Sequence, residues 1–349
     1  VRPAVNGAQG TQGAPSSDPT PLMRMTTGLW VSQTLSAAEE VDLFTFLSEK
    51  GGSDLTELAY GLNLSERPTE VLVTACAALG LLRRQGDHIV NTDLAEDYLV
   101  RGTPYFLGDY IRMLREFVYP GWMRVADAVR EDRPVRDESA PGAGIFAKEN
   151  RPAFFWNGLW PLSALTAQTL AAEVDLSFIT SLLDVGGGGG AFAVELCRRY
   201  RDLSVTIYDL PHVCEHTQEF LRGMDHGERV RFHAGDFFAE DLPRGHDAIL
   251  LSMILHDWAE EANRELLDKC YRALPAGGLI VISELLVDDD RSGPLEAALM
   301  SMNMLVGTPG RNYAVGEYRS WLEDAGFTRT RVVSFHAPGA NGVVLARKP

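Results

Sequence analysis

The sequence predicts an α/β protein: a doubly wound, mostly parallel sheet closed by a reversed β-hairpin and preceded by an all-α winged-helix-like domain. Three observations lead there. From Ile179 onward short apolar runs alternate with amphipathic stretches, the grammar of strand, loop and helix. Residues 22–104 read instead as short amphipathic helices with one wing. The chain ends on two apolar runs, Thr330–Phe335 and Val343–Arg347, whose connection through Pro338, Gly339 and Gly342 suits a hairpin better than another crossover.

Taken in order, residues 1–21 are rich in Gly, Ala, Gln, Ser and Pro and read as a disordered leader without an apolar signal core. Leu35, Ala38, Val41, Leu43, Phe44 and Leu47 then recur at helical spacing. Asp54–Ala59 opens a helix after Gly51-Gly52, and Ser65-Glu66-Arg67-Pro68 caps the next with Pro in its first turn. Leu81–Val90 reads as a two-stranded wing turning at Gly86-Asp87. A winged helix suggests DNA binding, yet Ser53–Val100 holds only Arg67, Arg83 and Arg84 against Asp54, Glu57, Glu66, Glu70, Asp87, Asp93, Glu96 and Asp97. The would-be recognition helix, Pro68–Leu82, has no lysine or arginine to offer a base edge or phosphate. A packing or homodimerisation role follows, and apolar residues such as Leu29, Trp30, Val31 and Leu35 would need a partner surface.

Whole-chain composition agrees. The 349 residues carry a formal net charge of −16, which argues against a nucleic-acid partner. No apolar run approaches the ~18 residues that span a bilayer, so no membrane partner is expected and the cytoplasm is the expected location. Cys76, Cys197, Cys214 and Cys270 form no CxxC pair and read as buried thiols in a reducing compartment.

Residues 105–177 form a helical linker and pocket wall, supplied with Tyr105, Phe106, Tyr110, Phe117, Tyr119, Trp122, Phe146, Phe154, Phe155, Trp156 and Trp160. Such an aromatic supply suits a flat, apolar ligand. Residues 178–349 then form a cofactor domain. Ser181–Val185 is a strand running into five glycines, Gly186–Gly190, with a helix over Ala191–Tyr200. Strands follow at Val205–Asp209, Val230–Asp236, Ala248–Met253 and Gly278–Glu284, with a helix at Glu260–Leu274.

The glycine run lets backbone approach a ligand closely, and the following helix N-terminus offers free N–H groups. Gly186, Gly188 and Ala191 also satisfy G-x-G-x-x-A, so a dinucleotide remains open at this point. Asp209, 25 residues beyond Asp184 at a strand end, is placed to accept from ribose hydroxyls. S-adenosylmethionine differs from NAD in bringing an ammonium, which Asp184 can steer through water or the loop. Asp236 and Phe237 supply an acid for the adenine amino group and a ring to cover it.

Asp184-Val-Gly-Gly-Gly-Gly-Gly, Tyr208-Asp209-Leu210-Pro211-His212-Val213, Gly235-Asp236-Phe237-Phe238, Leu255-His256-Asp257-Trp258 and Gly310-Arg311-Asn312-Tyr313 stand in a telling order. With them the chain resembles the small-molecule O-methyltransferase family, which includes plant caffeate-type, bacterial antibiotic-pathway and hydroxyindole O-methyltransferases. The resemblance runs from about residue 22 to the C-terminus. It implies a Rossmann-like class I methyltransferase sheet, S-adenosylmethionine as cofactor, a homodimer and secondary metabolism. It also implies that Gly186, Asp209, Leu210, Asp236 and Phe237 bind the cofactor, that Ser163 touches its amino-acid end and that Met253 lies beside it. A lysine common in the family is Ser252 here, so any contact it makes uses backbone or hydroxyl.

His256 is the catalytic candidate, since an imidazole of pKa near 6.5 takes a proton at neutral pH. Asp257 adjoins it, and Glu284 can hold the other ring nitrogen and fix the tautomer. Where plant members place a second acid, this chain has Asn312. No second histidine follows Glu284 before His336, so no metal is expected. The expected acceptor is an aromatic hydroxyl in a pocket drawn from Phe117, Trp122, Phe155, Trp156, Met300, Asn303, Met304, Asn312 and Tyr313. Methylation of carbon or nitrogen, a nicotinamide oxidoreductase and a winged-helix regulator remain as alternatives.

Overall fold

The computed structural model describes residues 17–135, 153–224 and 229–349. Most of the expected leader (residues 1–16) and Phe146 lie outside the described residues. The chain divides into two compact units, one ending at Glu96 and one starting at Asp97.

The first unit runs α1 (Thr20–Thr26), α2 (Gly28–Glu40), α3 (Leu43–Lys50), α4 (Leu55–Gly61), α5 (Glu66–Ala78), β1 (Leu82–Gln85) and β2 (His88–Asn91). A short α6 (Asp93–Tyr98) straddles the division. Two expectations need correction. The helical run from Leu35 to Leu47 is broken, because Asp42 takes a left-handed conformation (φ 55°) and starts α3 afresh. Nor is the unit strictly all-α, since the expected wing is present: β1 and β2 pair antiparallel with Gln85 opposite His88, and Gly86-Asp87 makes the turn. Asp54 caps α4 by accepting from the Glu57 N–H at 2.8 Å. Ser65 stands at the N-cap of α5, but its side chain makes no capping bond; its carbonyl accepts from the N–H and hydroxyl of Thr69. Leu43, Phe44, Leu47, Leu58, Val73 and Ile89 form the core, whereas Leu22, Met25, Leu29 and Trp30 on α1 and α2 are exposed.

The second unit opens with α7 (Gly108–Met113), a π-helical turn (Leu114–Val118), α8 (Tyr119–Trp122), α9 (Val125–Glu131), α10 (Ala153–Asn157) and α11 (Trp160–Glu173). The alternating part follows: β3 (Ser181–Val185), α12 (Ala191–Arg199), β4 (Ser204–Asp209), α13 (Pro211–Phe220), β5 (Val230–Ala234), β6 (Ala248–Ser252), α14 (Glu260–Ala273) and β7 (Leu279–Glu284). After β7 come α15 (Leu295–Gly307), α16 (Val315–Asp324), β8 (Thr328–Ser334) and β9 (Gly342–Arg347).

The seven strands lie in the order β5-β4-β3-β6-β7-β9-β8. The first five are parallel, and β9 inserts antiparallel between β7 and β8. Both faces are covered, which is why the strands read as unbroken apolar runs. Leu182 faces α11 and α12 in one core, while its neighbour Leu183 faces α14 and α16 in the other. Because β4 lies on one side of β3 and β6 on the other, their connections leave in opposite directions. A crevice therefore opens at the carboxyl ends of β3 and β6, where open α/β sheets bind ligands. All four cysteines are buried free thiols. Among the described residues no helix is long and apolar enough to cross a membrane.

Candidate active site

Every chemically informative motif of the sheet falls on that carboxyl edge. After β3 the glycine loop turns with Gly186 at φ 71°, and a side chain there would run into Ile254. At Gly187 a Cβ would lie 2.9 Å from Asp184 Oδ2, so the loop backbone rests directly on that carboxylate. Asp209, at the end of β4, accepts from Gly188 N–H at 2.9 Å and from Leu210 N–H at 2.7 Å. Asp184 is 2% exposed, and among the described residues its Oδ2 has no hydrogen-bond partner. Burial, together with the neighbouring charge of Asp209, pushes its pKa up to about 7. Burial also raises Asp209 above the usual carboxylate range, against the two backbone N–H bonds.

Beyond β5, Asp236 is exposed and accepts from Phe238 N–H at 2.9 Å, and Phe237 packs edge-on against Phe238 and Trp258. Beyond β6, Ser252 is half-buried and Met253 holds φ 57°. A methionine in the left-handed region stores strain of roughly 1–3 kcal/mol, the kind of conformation that gathers at ligand clamps. Ser163 lies half-buried in the first turn of α11.

The candidate base sits on a 3-10 turn, Leu255–Asp257, that follows Met253. Glu284, fully buried at the end of β7, organises it. One carboxylate oxygen accepts from the backbone N–H groups of Ile254 (3.1 Å), Leu255 (3.0 Å) and His256 (3.4 Å). The other meets His256 Nδ1 at 2.6 Å. With Nδ1–H donating to Glu284, the lone pair is confined to Nε2, which stands 3.8 Å from Asp257 Oδ1. Burial works against a charged imidazole, but Glu284, Asp257 and the hydrogen bond outweigh it and His256 is pushed up to about 9. That corrects the expected value near 6.5, and the cause is the carboxylate held in contact.

A family model described as the O-methyltransferase domain matches residues 122–328, and one described as the O-methyltransferase dimerisation domain matches residues 23–101. The chain belongs to the O-methyltransferase family. This methyltransferase is 52% identical, over 95% of both chains, to 3-hydroxy-5-methyl-1-naphthoate 3-O-methyltransferase from Streptomyces sahachiroi. It is 36% identical to acetylserotonin O-methyltransferase from Bos taurus, over 94% of this chain and 97% of that one. The crystal structure of human N-acetylserotonin methyltransferase in complex with SAM superimposes with a TM-score of 0.85 at 33% identity, covering 97% of this chain and 99% of that one. The enzyme is S-adenosylmethionine-dependent, and its own geometry fits that cofactor. An orphaned buried carboxylate under a glycine loop suits a cationic ligand, and a second carboxylate ends the adjacent strand.

The expected pocket residues of the methyltransferase separate into two groups. Trp122 Nε1 donates to Asn303 Oδ1 at 3.0 Å, and Asn303 in turn lies beside Met300, so three of them meet and remain half-exposed. Phe117, on the π-helical turn, packs against Phe155 (5.4 Å between rings), and Phe155 against Trp156 (5.2 Å). Others, Trp156 among them, are buried among protein side chains. Phe155 is 1% exposed and packs with Met113 and Val213, Met304 is buried, and Tyr313 lies in the core beside Tyr318 and Trp321. Tyr313 reaches the site differently, because its hydroxyl donates to the Trp258 carbonyl at 2.6 Å. Asn312 is buried, with Nδ2 donating to the Leu285 carbonyl at 2.7 Å and Oδ1 unpaired.

Three residues gain a supporting role that the sequence alone does not show, and two of them, Asn263 and Lys269, belong to no sequence motif. Gly310 packs so closely on the turn that carries His256 that a side chain would strike the His256 carbonyl. Asn263 donates to the carbonyls of Leu255 (2.8 Å) and Trp258 (3.1 Å), and Lys269 to those of Phe237, Phe238 and Glu240. The signal was present in α14: Asn263 lies seven residues before Cys270, which puts a polar side chain on the core-facing stripe.

Proposed function

We propose that this enzyme methylates a hydroxyl on an aromatic small molecule of natural-product biosynthesis, that His256 is its general base, and that it works as a homodimer. When bound, S-adenosylmethionine supplies a methyl group already activated on a sulfonium. Asp209 and Leu210 would hold the ribose side, Asp236 and Phe237 the adenine, and Asp184, Gly186, Gly188 and Ser163 the amino-acid end, with Ser252 and Met253 alongside. The remaining task for the protein is to align the acceptor oxygen and remove its proton.

The observation that carries the reading is the His256–Glu284 contact. A phenol of pKa about 10 giving its proton to an imidazole at 6.5 works uphill by ~5 kcal/mol, whereas transfer to one near 9 costs ~1.4 kcal/mol. Raising the imidazole thus fits it to a phenolic proton, at the expense of the neutral fraction present at pH 7. Half-exposed Phe117, Trp122 and Met300 offer a flat acceptor apolar enclosure. The Streptomyces relative, named for methylation of a hydroxynaphthoate, supports an aromatic hydroxyl as acceptor. The dimerisation-domain match and the exposed Leu22, Met25, Leu29 and Trp30 support the homodimer.

The test is His256→Ala assayed on a panel of hydroxylated aromatic acids. Turnover is expected to fall by about 10²–10⁴-fold while titration with S-adenosylhomocysteine gives the wild-type Kd. Equal losses in turnover and cofactor affinity reassign His256 to folding. Methyl incorporation on carbon or nitrogen, seen by mass spectrometry, removes the hydroxyl assignment.

A further inference from the structure

α14 packs on the face of the sheet that carries Leu183 and buries two polar side chains. Its inward face is otherwise Leu266, Leu267, Cys270 and Ala273. An amide and an ammonium on such a face are costly to desolvate, and hydrogen bonds to their N–H groups offset that cost. The Asn263 amide N–H groups go to one loop's backbone, with Oδ1 left without a partner among the described residues, and the Lys269 ammonium goes to another loop's backbone besides pairing with Glu265 on α14 at 3.3 Å. Asn263, 0% exposed, points its amide at the carbonyls of Leu255 and Trp258, which bracket His256. Lys269, 8% exposed, places its ammonium 2.8, 2.8 and 3.1 Å from the carbonyls of Phe237, Phe238 and Glu240, the segment after Asp236.

The two loops also touch each other. The Trp258 ring stands 4.6 Å from Phe238 and 6.0 Å from Phe237, both edge-on. Tyr313 adds a second hold on the Trp258 carbonyl from α16's side of the core. Backbone carbonyls that would otherwise turn to water are thus fixed from beneath, leaving the exposed sides of both loops to ligands.

We propose that Asn263 and Lys269 are positioning residues with separate duties: Asn263 fixes the turn that presents His256, and Lys269 fixes the Phe237 loop that receives the adenine. The proposal rests on the methyl-transfer reading above. It predicts a double dissociation that a merely stabilising role for α14 does not produce. Asn263→Asp keeps the size and removes the donor, so turnover falls at saturating cofactor, His256 titrates at lower pH by NMR as its ring leaves Glu284, and the Kd for S-adenosylhomocysteine is unchanged. Lys269→Met weakens that Kd by about tenfold or more, in line with loss of a charged donor, while His256 titrates as in wild type. Lys269→Arg restores much of the affinity.

Should Asn263→Asp not fold, Asn263→Ser carries the same test, since its shorter side chain cannot reach both carbonyls. Equal losses of turnover and affinity in both variants overturn the proposal, as does an unchanged His256 titration in the Asn263 variant. Failure of the wild-type enzyme to bind S-adenosylhomocysteine or to methylate any hydroxyl instead sinks the reading beneath it, and the NMR titration separates the two cases because it needs no acceptor.

Discussion

Two buried carboxylates end strands on the same edge of the sheet, and they are finished in opposite ways. Glu284, at the end of β7, has three backbone N–H groups on one oxygen and the His256 ring on the other. Asp184, at the end of β3, keeps an unpartnered oxygen beneath Gly187 and faces a second acid, Asp209. Desolvation is the same problem for both. The β7 carboxylate is satisfied by the protein itself and serves to fix an imidazole. The β3 carboxylate is left short of a positive partner, which in the proposed function the ammonium of the cofactor would bring.

The comparison can be broken in four places. The largest effect is expected at Glu284→Ala, which strips the partner from an imidazolium and three N–H groups and costs about 3–5 kcal/mol of stability, read from urea unfolding. The milder Glu284→Gln separates charge from shape. Without the carboxylate, burial dominates and His256 titrates below 9, so the alkaline rise in kcat/KM moves to lower pH while the maximal rate falls. The same contact has a stability sign. His256 is raised above its unfolded value near 6.5, so its contribution is complete below pH 6.5 and is lost as pH climbs through about 9. The wild-type Tm should therefore drop across that window more than that of Glu284→Gln.

Asp184→Asn is expected to act in the reverse direction. An acid raised to about 7 makes the folded protein lose stability as pH rises from about 4 to 7. The variant should melt higher than wild type at pH 8 without cofactor, and gain less when S-adenosylmethionine is added. A lower Tm without cofactor would show that the Asp184 carboxylate is already satisfied. The smallest pair of effects lies in the loop. Gly187→Ala collides with Asp184 and Ile207 and should weaken cofactor binding, whereas Gly189→Ala, whose nearest neighbour is the Trp156 carbonyl at 3.8 Å, should bind as wild type does.

Much of this was legible in the sequence because it is local. Apolar runs named the strands, the five glycines named the loop, and Asp209 and Glu284 stand where strand ends put them. Asp42 was not legible, since nothing short-range distinguishes a helix break from one more polar residue on a helical face. Residue type alone says of Tyr313 and Phe155 that they suit an apolar ligand, and says nothing of how deeply they lie. Their burial was settled by α13, α16 and the sheet packing on them, which no spacing rule reports.

What the sequence determined by itself is the element order, the residues at each strand's carboxyl end and hence the kind of cofactor edge this chain builds. These follow from periodicity and from glycine's freedom, which act over a few residues. Only the tertiary structure decided how the charges on that edge are balanced. Glu284 and His256 are 28 residues apart in the chain and 2.6 Å apart in space, and Asn263 and Lys269 brace loops that α14 meets only after the sheet has formed. The proton affinity of a buried group depends on such contacts through a low-dielectric interior, so folding, and not residue type, sets it.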